Sequence, residues 1–282
     1  MTHAVPSSAA EVISRAYEED LGEAGDVTSI STIPADHRSL ANIVVRSSGC
    51  IAGTPIVEMC LAHIDPSITT IRLAQDGDVV DAGTIVLAAA GPTRSLLTAE
   101  RVALNLFGRL SGVANATRAF VDAVEGTGTS ISDTRKTTPG LRHLEKYAVA
   151  IGGGVNHRMG LFDAVMIKDN HLAASESIAD AISRARGLVG SKMIVEVEVD
   201  TLDQLSEAMQ TDADVVLLDN MTIAQLTEAV RMVDGTKRTE ASGGVTLDTV
   251  RAIAETGVDV ISVGWLTHSA PALDVAMDLE SA

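Results

Sequence analysis

A basic segment in an otherwise acidic chain marks the place where chemistry is expected. The 282 residues include 38 Asp and Glu against 21 Lys and Arg, which gives a net charge of −17. Residues 132–171 reverse this balance. Their cations are Arg135, Lys136, Arg142, Lys146, Arg158 and Lys168. Because positive charge gathered in a low-dielectric cleft concentrates anions, the segment predicts a small substrate that carries phosphates or carboxylates.

Two pairs of adjacent basic residues offer different ways to hold an anion. Arg135 and Lys136 directly follow a predicted strand, and the planar fork of Arg complements the point charge of Lys. His157 and Arg158 follow three glycines, which allow close backbone approach, and we interpret them as a second anion clamp. Lys168 ends another apolar run. We expect it to contact a phosphate or carboxylate, although a lysine at such a position can also form a Schiff base.

Carboxylates alternate with valines in the run IVEVEVD. Glu196 and Glu198 therefore point to the same face of one strand. Two carboxylates on an inner face are costly unless cations or a metal neutralise them. Asp219 is expected to emerge on a neighbouring strand. We predict a carboxylate group that coordinates Mg²⁺ through sugar hydroxyls, pyrophosphate or water, and that stabilises positive charge on a reacting carbon.

Small residues follow two later strands. Ser242, Gly243 and Gly244 precede a predicted helix, and small residues before a helix N-terminus form a backbone cradle for phosphate. Gly264 repeats the arrangement after the next strand, and adjacent cradles of this kind are a common phosphate site in α/β barrels. His268, just beyond, is a candidate additional donor.

A repeated βα pattern positions these residues. Apolar runs alternate with helix-like segments, which implies parallel strands joined by crossover helices. The runs are 130–132, 164–167, 193–199, 215–218, 239–241 and 258–263. In α/β barrels the loops at the carboxyl ends of the strands meet at one mouth. Six strands would make an incomplete barrel rather than an eight-stranded one.

The chain before about residue 113 shows a more mixed pattern. A helix is expected at 9–20 and hairpin-like strands at 75–92. A longer helix follows, with Thr98 as its predicted cap. Its apolar stripe is Val102, Leu106, Leu110 and Val113. The tail after Ala270 is expected to fold back on this region.

Composition argues against several classes of protein. One Trp, two Tyr and three Phe are too few for single-stranded nucleic acid binding, which depends on aromatic stacking. The negative charge argues against duplex binding. The sequence has no apolar run near the ~20 residues of a membrane helix and no secretory signal pattern. Cys50 and Cys60 lie in apolar context and are expected to be buried reduced thiols, which fits a cytoplasmic protein.

Together these motifs closely resemble the quinolinate phosphoribosyltransferases. The likeness runs from LLTAERVALNLFGRLSG to VGWLTHS and is densest in DTRKTTPGLRHLEKYAVAIGGGVNHRMGL and IKDNH. It implies an α/β protein of the type II phosphoribosyltransferase kind. An N-terminal α/β sandwich (1–112, with the tail 271–282 packed on it) would accompany an incomplete, open α/β barrel (113–270). The sandwich would cover the barrel mouth of a partner subunit in a homodimer or hexamer.

The resemblance also implies a reaction and its residues. Quinolinate and 5-phosphoribosyl-1-pyrophosphate, with Mg²⁺, would give nicotinate mononucleotide, CO₂ and pyrophosphate for NAD biosynthesis. Arg101 would reach quinolinate from the neighbouring subunit. The dicarboxylate pocket would be lined by Arg135, Lys136, His157, Arg158 and Lys168, with Lys136 and Lys168 also near the phosphoribosyl donor. Thr134 would be a further substrate-binding residue. The residues implied to be catalytic are Lys136, Lys168, Glu198 and Asp219, and Glu198 and Asp219 would sit by the ribose and the metal.

The phosphate of the donor would lie at two strand ends. The implied contacts are Ser242, Gly243, Gly244, Val263, Gly264, Trp265 and His268. Trp265 departs from the family pattern, which usually has a small residue there. A large ring at this position would either narrow the phosphate site or point away from it.

Three other functions stay open at this stage. A related phosphoribosyltransferase could use a monocarboxylate such as nicotinate, but the doubled clamp favours two carboxylates. A Schiff-base aldolase would use Lys168, and borohydride trapping with a carbonyl substrate would reveal it. A phosphosugar-binding regulatory protein would bind the same anions without turnover, and an assay for pyrophosphate release would separate it from an enzyme.

Overall fold

The computed structural model describes residues 4–281, which divide into two compact units. The first unit takes in the chain up to Arg118, residues 137–153 and the segment from Leu266 onward. The second takes in residues 119–136 and 154–265. Within the described part, none of the helices combines the length and apolar character that crossing a membrane requires.

An antiparallel sheet with helices forms the first unit. Its strands are β1 (Arg38–Val45), β2 (Gly49–Cys50), β3 (Thr69–Arg72), β4 (Val79–Val80), β5 (Ile85–Pro92) and β12 (Val275–Ser281). Its helices are α1 (Ala9–Leu21), α2 (Val27–Thr32), α3 (Thr54–Ile64), most of α4 (Thr93–Ala123) and α5 (Arg142–Ile151). The main sheet has the order β12-β1-β5-β3, and β2 pairs with β4 separately. Alternation along β1 buries Ala41 and Ile43 against Ile13 of α1 and Leu61 of α3.

The hairpin predicted within residues 75–92 is wrong. Strands β4 and β5 both form there, but they do not pair with each other. Cys50 of β2 lies opposite Val79 of β4, whereas Leu87 of β5 lies opposite Ile43 of β1. Gly and Asp turns between β-branched runs show where strands begin and end, but they do not determine which strands become neighbours.

Helix α4 begins earlier than predicted. It starts at Thr93, directly after Pro92, so Thr98 lies inside the helix and does not cap it. The Thr98 hydroxyl instead donates to the carbonyl of Arg94 at 2.8 Å and lies 3.0 Å from the Asp26 carboxylate. The predicted apolar stripe is confirmed, since all four of its residues are buried. They are Val102, Leu106, Leu110 and Val113.

Parallel strands and crossover helices build the second unit, as the βα pattern predicts. The strands are β6 (Ser130–Ser132), β7 (Val165–Ile167), β8 (Val195–Val199), β9 (Val215–Asp219), β10 (Arg238–Ser242) and β11 (Val260–Ser262). The helices are α6 (Asp169–Leu172), α7 (Ile178–Val189), α8 (Leu202–Met209), α9 (Ile223–Val233) and α10 (Leu247–Ala254). Of α11 (Trp265–His268), the first residue belongs to the second unit and the rest to the first. In the described part the sheet has six strands, in the order β6-β11-β10-β9-β8-β7. This confirms the predicted open α/β barrel.

Short polar side chains start the crossover helices. Ser177, Thr201 and Thr222 precede α7, α8 and α9, and each accepts a hydrogen bond from an amide in the first turn of its helix. Such caps stabilise a helix start by about 1 kcal/mol each. The caps fix where each helix begins, and the loops between strand ends and helix starts are therefore short. Those loops carry most of the predicted site.

Candidate active site

The predicted residues of the second unit gather at the carboxyl ends of its strands. Thr134, Arg135 and Lys136 follow β6, Lys168 follows β7, Glu198 lies in β8, Asp219 ends β9, Ser242 ends β10 and Val263 follows β11. Because these strands are parallel, their carboxyl ends share one edge of the sheet. His157 and Arg158 come from the segment before β7, where Val155 forms a parallel bridge with Ser132.

Lys168 and two carboxylates form a charged group across β7, β8 and β9. The Lys168 ammonium pairs with Glu198, whose side chain is 11% exposed against 42% for the lysine. Burial and the charges of Glu198 and Asp200 raise the pKa of Asp219, and Lys168 opposes them. The Asn220 amide also donates to Asp219 Oδ2 at 2.5 Å. An ammonium paired in this way is a poor nucleophile, so the geometry does not favour Schiff-base chemistry.

His157 is enclosed by acids. Its Nε2 lies 3.1 Å from Glu196 Oε2 and 3.4 Å from Glu240 Oε2. Burial lowers the pKa of His157, but the two glutamates outweigh burial and raise it to about 10. The Arg158 amide points its N–H at Nδ1 at 2.8 Å, which favours the neutral ring. We assign the imidazolium, because two contacts to acids at Nε2 outweigh one neutral contact.

Arg158 is held close to a second guanidinium. Its Nη1 donates to the carbonyl of Ala164 at 3.1 Å. Burial and the charge of Arg135 lower the pKa of Arg158, whereas Glu196 and Asp163 act in the opposite sense. Two guanidiniums that repel each other in a partly buried site gain from an anion bound near both. The first predicted clamp, Arg135 with Lys136, thus acts electrostatically on the second, His157 with Arg158, through Arg135 and Arg158. The assignment of both pairs to an anion stays a prediction.

The residues that follow β9 and β10 pack closely against each other, and this packing requires a glycine at position 243. Asn220, in a left-handed conformation with φ +53°, donates its backbone N–H to the carbonyl of Ser242 at 2.9 Å. Gly243 has φ +99°, and a Cβ placed on it would overlap the Asn220 side chain and lie 3.0 Å from its backbone nitrogen. Gly243 is therefore required by both backbone conformation and space. The resulting surface of small residues is suited to close approach of a phosphate.

The Trp265 ring packs against a helix. Its centroid lies 6.3 Å from that of Phe120 in α4, with 45° between the planes. Val263, two residues earlier, is buried and donates its amide to the carbonyl of Ser132 at 2.9 Å. The Trp265 ring thus packs against the Phe120 ring. Gly264 is the second residue after β11, where the second phosphate cradle was predicted.

Two predicted residues lie in the first unit. Arg101 is on α4, with a side chain 63% exposed and a guanidinium 3.5 Å from Glu100. His268 ends α11, and its Nδ1 lies 2.6 Å from the Ser269 hydroxyl. Their assignment to the substrate stays a prediction.

A cavity of about 290 Å³ lies beside the amino ends of three strands. It is lined by the first residues of three strands, Val215, Arg238 and Val260, and also by His157 and Arg158. The described residues that line it do not include the two cations Arg135 and Lys168. His157 and Arg158 are therefore the members of the predicted site that also face the amino-end side of the barrel.

Glu240 was missed by the sequence analysis. Glu240 lies inside the buried run of β10, where its side chain is 6% exposed. It is on the same face of the strand as Arg238 and Ser242. A charged residue inside a short buried strand was the available signal. Asp133 was seen as a strand-end residue, but its role was not. Asp133 is fully buried and accepts the backbone N–H of His157 at 2.8 Å.

Comparison with known proteins identifies the family. Residues 26–111 match the family described as quinolinate phosphoribosyl transferase, N-terminal domain, and residues 113–278 match its C-terminal domain. The nicotinate-nucleotide pyrophosphorylase (carboxylating) of Mycobacterium leprae is 42% identical over 277 residues, which cover 96% of this chain and 97% of that protein. The quinolinate phosphoribosyltransferase (decarboxylating) 1b of Nicotiana tabacum is 42% identical over 288 residues, covering 96% and 82%.

Solved structures agree with the sequence comparison. The nicotinate-nucleotide pyrophosphorylase of Francisella tularensis has a TM-score of 0.94 and 37% identity, over 98% of both chains. That of Ehrlichia chaffeensis has a TM-score of 0.93 and 38% identity, over 99% of this chain and 100% of that one. With both of its domains matched and relatives about 42% identical over most of its length, the chain belongs to the quinolinate phosphoribosyltransferase family.

Proposed function

We propose that this chain transfers the phosphoribosyl group of 5-phosphoribosyl-1-pyrophosphate to quinolinate. Loss of CO₂ then gives nicotinate mononucleotide for de novo NAD biosynthesis, and pyrophosphate is released. Family membership over both domains supports this activity. The observation that carries it is the arrangement of cations around a carboxylate pair at the strand ends, with Lys168 on Glu198 and Asp219 on the next strand.

Quinolinate carries two carboxylates and needs two separated cationic contacts. The charge of Arg135 acts on Arg158 in the partly buried site, and His157 adds a third positive group beside Arg158. Arg offers two parallel donors to one carboxylate, which fixes the orientation of a flat aromatic acid. Lys136 and Lys168 add point charges, and we assign them to the region where acid and donor meet.

The phosphoribosyl group is transferred through a transition state with positive charge on the sugar. The ring nitrogen of quinolinate forms a bond to the anomeric carbon as the bond to pyrophosphate breaks, and the electron pair leaves with pyrophosphate. Glu198 and Asp219 lie on adjacent strands and stabilise the positive carbon electrostatically. The carboxylate beside the new cationic ring nitrogen then leaves as CO₂, and the carbon that loses it takes up a proton.

We propose Mg²⁺ as the cofactor. Hard oxygen donors suit this ion, and the Glu198 and Asp219 carboxylates supply them on adjacent strands. Glu198 is already paired with Lys168, and Asp219 accepts from Asn220, which leaves a donor set suited to indirect contact through water or substrate oxygens. When bound, the ion would neutralise the pyrophosphate leaving group.

The 5-phosphate is assigned to the two neighbouring strand ends. Ser242, Gly243 and Gly244 offer a surface without bulky side chains, followed after Thr246 by helix α10. Residues 263–265 form the corresponding end of β11, adjacent to β10 in the sheet. A helix N-terminus and the backbone at such strand ends together favour an anion.

We propose a homodimer in the cytoplasm, with Arg101 acting on the partner's barrel. The exposed guanidinium of Arg101 supports this assignment. Cys50 and Cys60 are buried and do not form a disulfide, which supports a reducing compartment. Mixing Arg101→Ala and Lys168→Met proteins tests the assembly. If Arg101 acts across the dimer, random mixing restores about a quarter of wild-type activity, because half of the dimers then hold one intact site of two. No recovery on mixing would place Arg101 outside a shared site.

Pyrophosphate release tests the activity directly. The protein is incubated with 5-phosphoribosyl-1-pyrophosphate, Mg²⁺ and either quinolinate or nicotinate. Release that depends on quinolinate, with equimolar CO₂, supports the proposal. Equal turnover of nicotinate would indicate the monocarboxylate reaction, and binding without release would indicate a regulatory protein.

A further inference from the structure

Two buried acids beneath His157 have no role in the proposed reaction. Glu196 lies on β8 and Glu240 on β10, the strands on either side of β9. Relative to the whole residue, Glu196 is 3% exposed and Glu240 is 5% exposed. Glu196 shares its strand with Glu198, yet the two acids contact different cations, since Glu198 pairs with Lys168.

The acid pair is poorly satisfied as a structural feature. Within residues 4–281, the Oε1 atoms of Glu196 and Glu240 have no hydrogen-bond partner although both are buried. Neighbouring positions are apolar, as at Val197 on β8 and at Leu217 on β9, which lies opposite Glu240. A buried ion pair seldom stabilises a fold more than apolar packing of the same volume. Two such acids therefore point to a role at the side chain they both contact.

That side chain is His157, which is fixed from three directions. Glu196 and Glu240 approach Nε2 at 3.1 and 3.4 Å, and the ring is 12% exposed. Asp133, after β6, holds the backbone N–H at 2.8 Å. Acids from three parts of the barrel thus determine both where the residue sits and how its ring is turned. Partners that orient a functional side chain are a general feature of precise sites.

We propose that Glu196 and Glu240 are positioning residues for His157. They hold its ring from inside the barrel, so that the ring meets a substrate carboxylate in one orientation, together with Arg158. The inference rests on the proposed function, because His157 is assigned there to quinolinate. The charge of Glu196 also acts on Arg158. Glu240 contacts His157 but is not among the described charges that shift the pKa of Arg158. Glu240 is therefore the cleaner site for a test.

Steady-state kinetics of Glu240→Gln tests the proposal. Losing a hydrogen bond to a charged group weakens binding roughly ten- to a hundredfold, so KM for quinolinate should rise by about that factor. The KM for 5-phosphoribosyl-1-pyrophosphate and kcat should change less than about twofold, because Glu240 does not contact the reacting atoms. The matched control is Glu255→Gln, which alters an exposed glutamate of the same unit and should leave both KM values unchanged.

A double variant separates positioning from general damage. If Glu240 acts through His157, adding Glu240→Gln to His157→Ala should raise KM for quinolinate little beyond the single His157→Ala change. Additive effects would overturn the proposal, and so would an unchanged KM in Glu240→Gln when the wild type is active. Absence of turnover in the wild type would instead refute the proposed function. If Glu240→Gln does not fold, Glu240→Asp replaces it, with a smaller rise in KM expected.

A spectroscopic measurement tests the contact without turnover. In protein labelled with ¹⁵N-histidine, the ring nitrogens of His157, assigned by the His157→Ala variant, should shift in Glu240→Gln. The resonances of the other histidines should not move. The ligand atoms of His157, Glu196 and Glu240 also lie within 4.8 Å of one another, a spacing that suits a divalent ion. A stoichiometric ion in purified wild-type protein that is lost in Glu240→Gln, or unchanged ¹⁵N shifts, would overturn the proposal.

Discussion

Replacing Gly243 with alanine should disturb the donor-phosphate site more than it disturbs the fold. Gly243 has φ +99°, a conformation that costs a residue with a Cβ about 1–3 kcal/mol. The new Cβ would also overlap the Asn220 side chain and lie 3.0 Å from its backbone nitrogen. Moving Asn220 breaks its hydrogen bond to Asp219, which adds about 0.5–1.5 kcal/mol. We expect Gly243→Ala to lower the free energy of unfolding by about 2–4 kcal/mol.

A second glycine provides a matched control. Gly257 has a similar φ of +90°, but a Cβ there would meet only Val230 Cγ1 at an ordinary 3.5 Å. Gly257→Ala therefore carries the backbone strain without the overlap. The difference between the two variants, about 0.5–1.5 kcal/mol, measures the cost of displacing Asn220.

Two assays separate stability from substrate binding. Urea denaturation gives the free energy of unfolding for each variant, and the slopes should match. In kinetics, Gly243→Ala should raise KM for 5-phosphoribosyl-1-pyrophosphate by about tenfold or more, because the phosphate surface and Asp219 are both displaced. Gly257→Ala should leave this KM unchanged. Equal destabilisation by the two variants, with an unchanged KM in both, would refute the phosphate assignment.

Three further outcomes follow from the charges of the second unit. Lys168→Met should reduce kcat/KM by about a hundredfold or more, because it removes an anion contact and leaves Glu198, whose side chain is 11% exposed, without its partner. The control Lys192→Met, at an exposed lysine, should have no effect. Burial raises the pKa of Asp163, but hydrogen bonds from the amides of Gly160 and Met159 outweigh burial and lower that pKa. The stabilising contribution of the Asp163 carboxylate is therefore present above about pH 4 and lost below it. Asp163→Asn should flatten the acid limb of the curve of unfolding free energy against pH. Chelation of Mg²⁺ should abolish pyrophosphate release while the melting temperature stays constant, and a matching fall in the melting temperature would contradict an indirectly held ion.

The barrel could be predicted from the sequence because its signals are local. Each apolar run became a strand to within about two residues, since a buried parallel strand reads as a continuous apolar run with helix-like segments on either side. The first unit was harder. The strands at 79–80 and 85–92 were found, but their pairing was wrong, because antiparallel partners such as β1 and β12 are separated by most of the chain.

The site was predictable to the extent that its residues follow strand ends. Lys168, Asp219 and Ser242 could be predicted because each is a polar residue at the end of an apolar run. Glu240 does not, because it lies within a strand, and its significance depends on a histidine 83 positions earlier that reaches it across the barrel. The start of α4 was missed for a related reason. Thr98 is a good cap by residue type, but Pro92 lets the helix begin at Thr93, and the Thr98 side chain then bonds within the helix.

The acidic excess of this chain and its capacity to bind anions are linked. Two cations of the second unit are held by acids with little exposure: Lys168 pairs with Glu198, and His157 lies between Glu196 and Glu240. The acids fix the cations in place, and the cations keep enough exposure or positive charge to attract a substrate. Removing a cation therefore has two costs, since a ligand contact is lost and a buried carboxylate is left unpaired. Removing an acid has a single cost, because the cation remains in the site and only its orientation is lost. Variants of the cations should accordingly lose both stability and activity, whereas neutral variants of the acids should lose mainly substrate affinity.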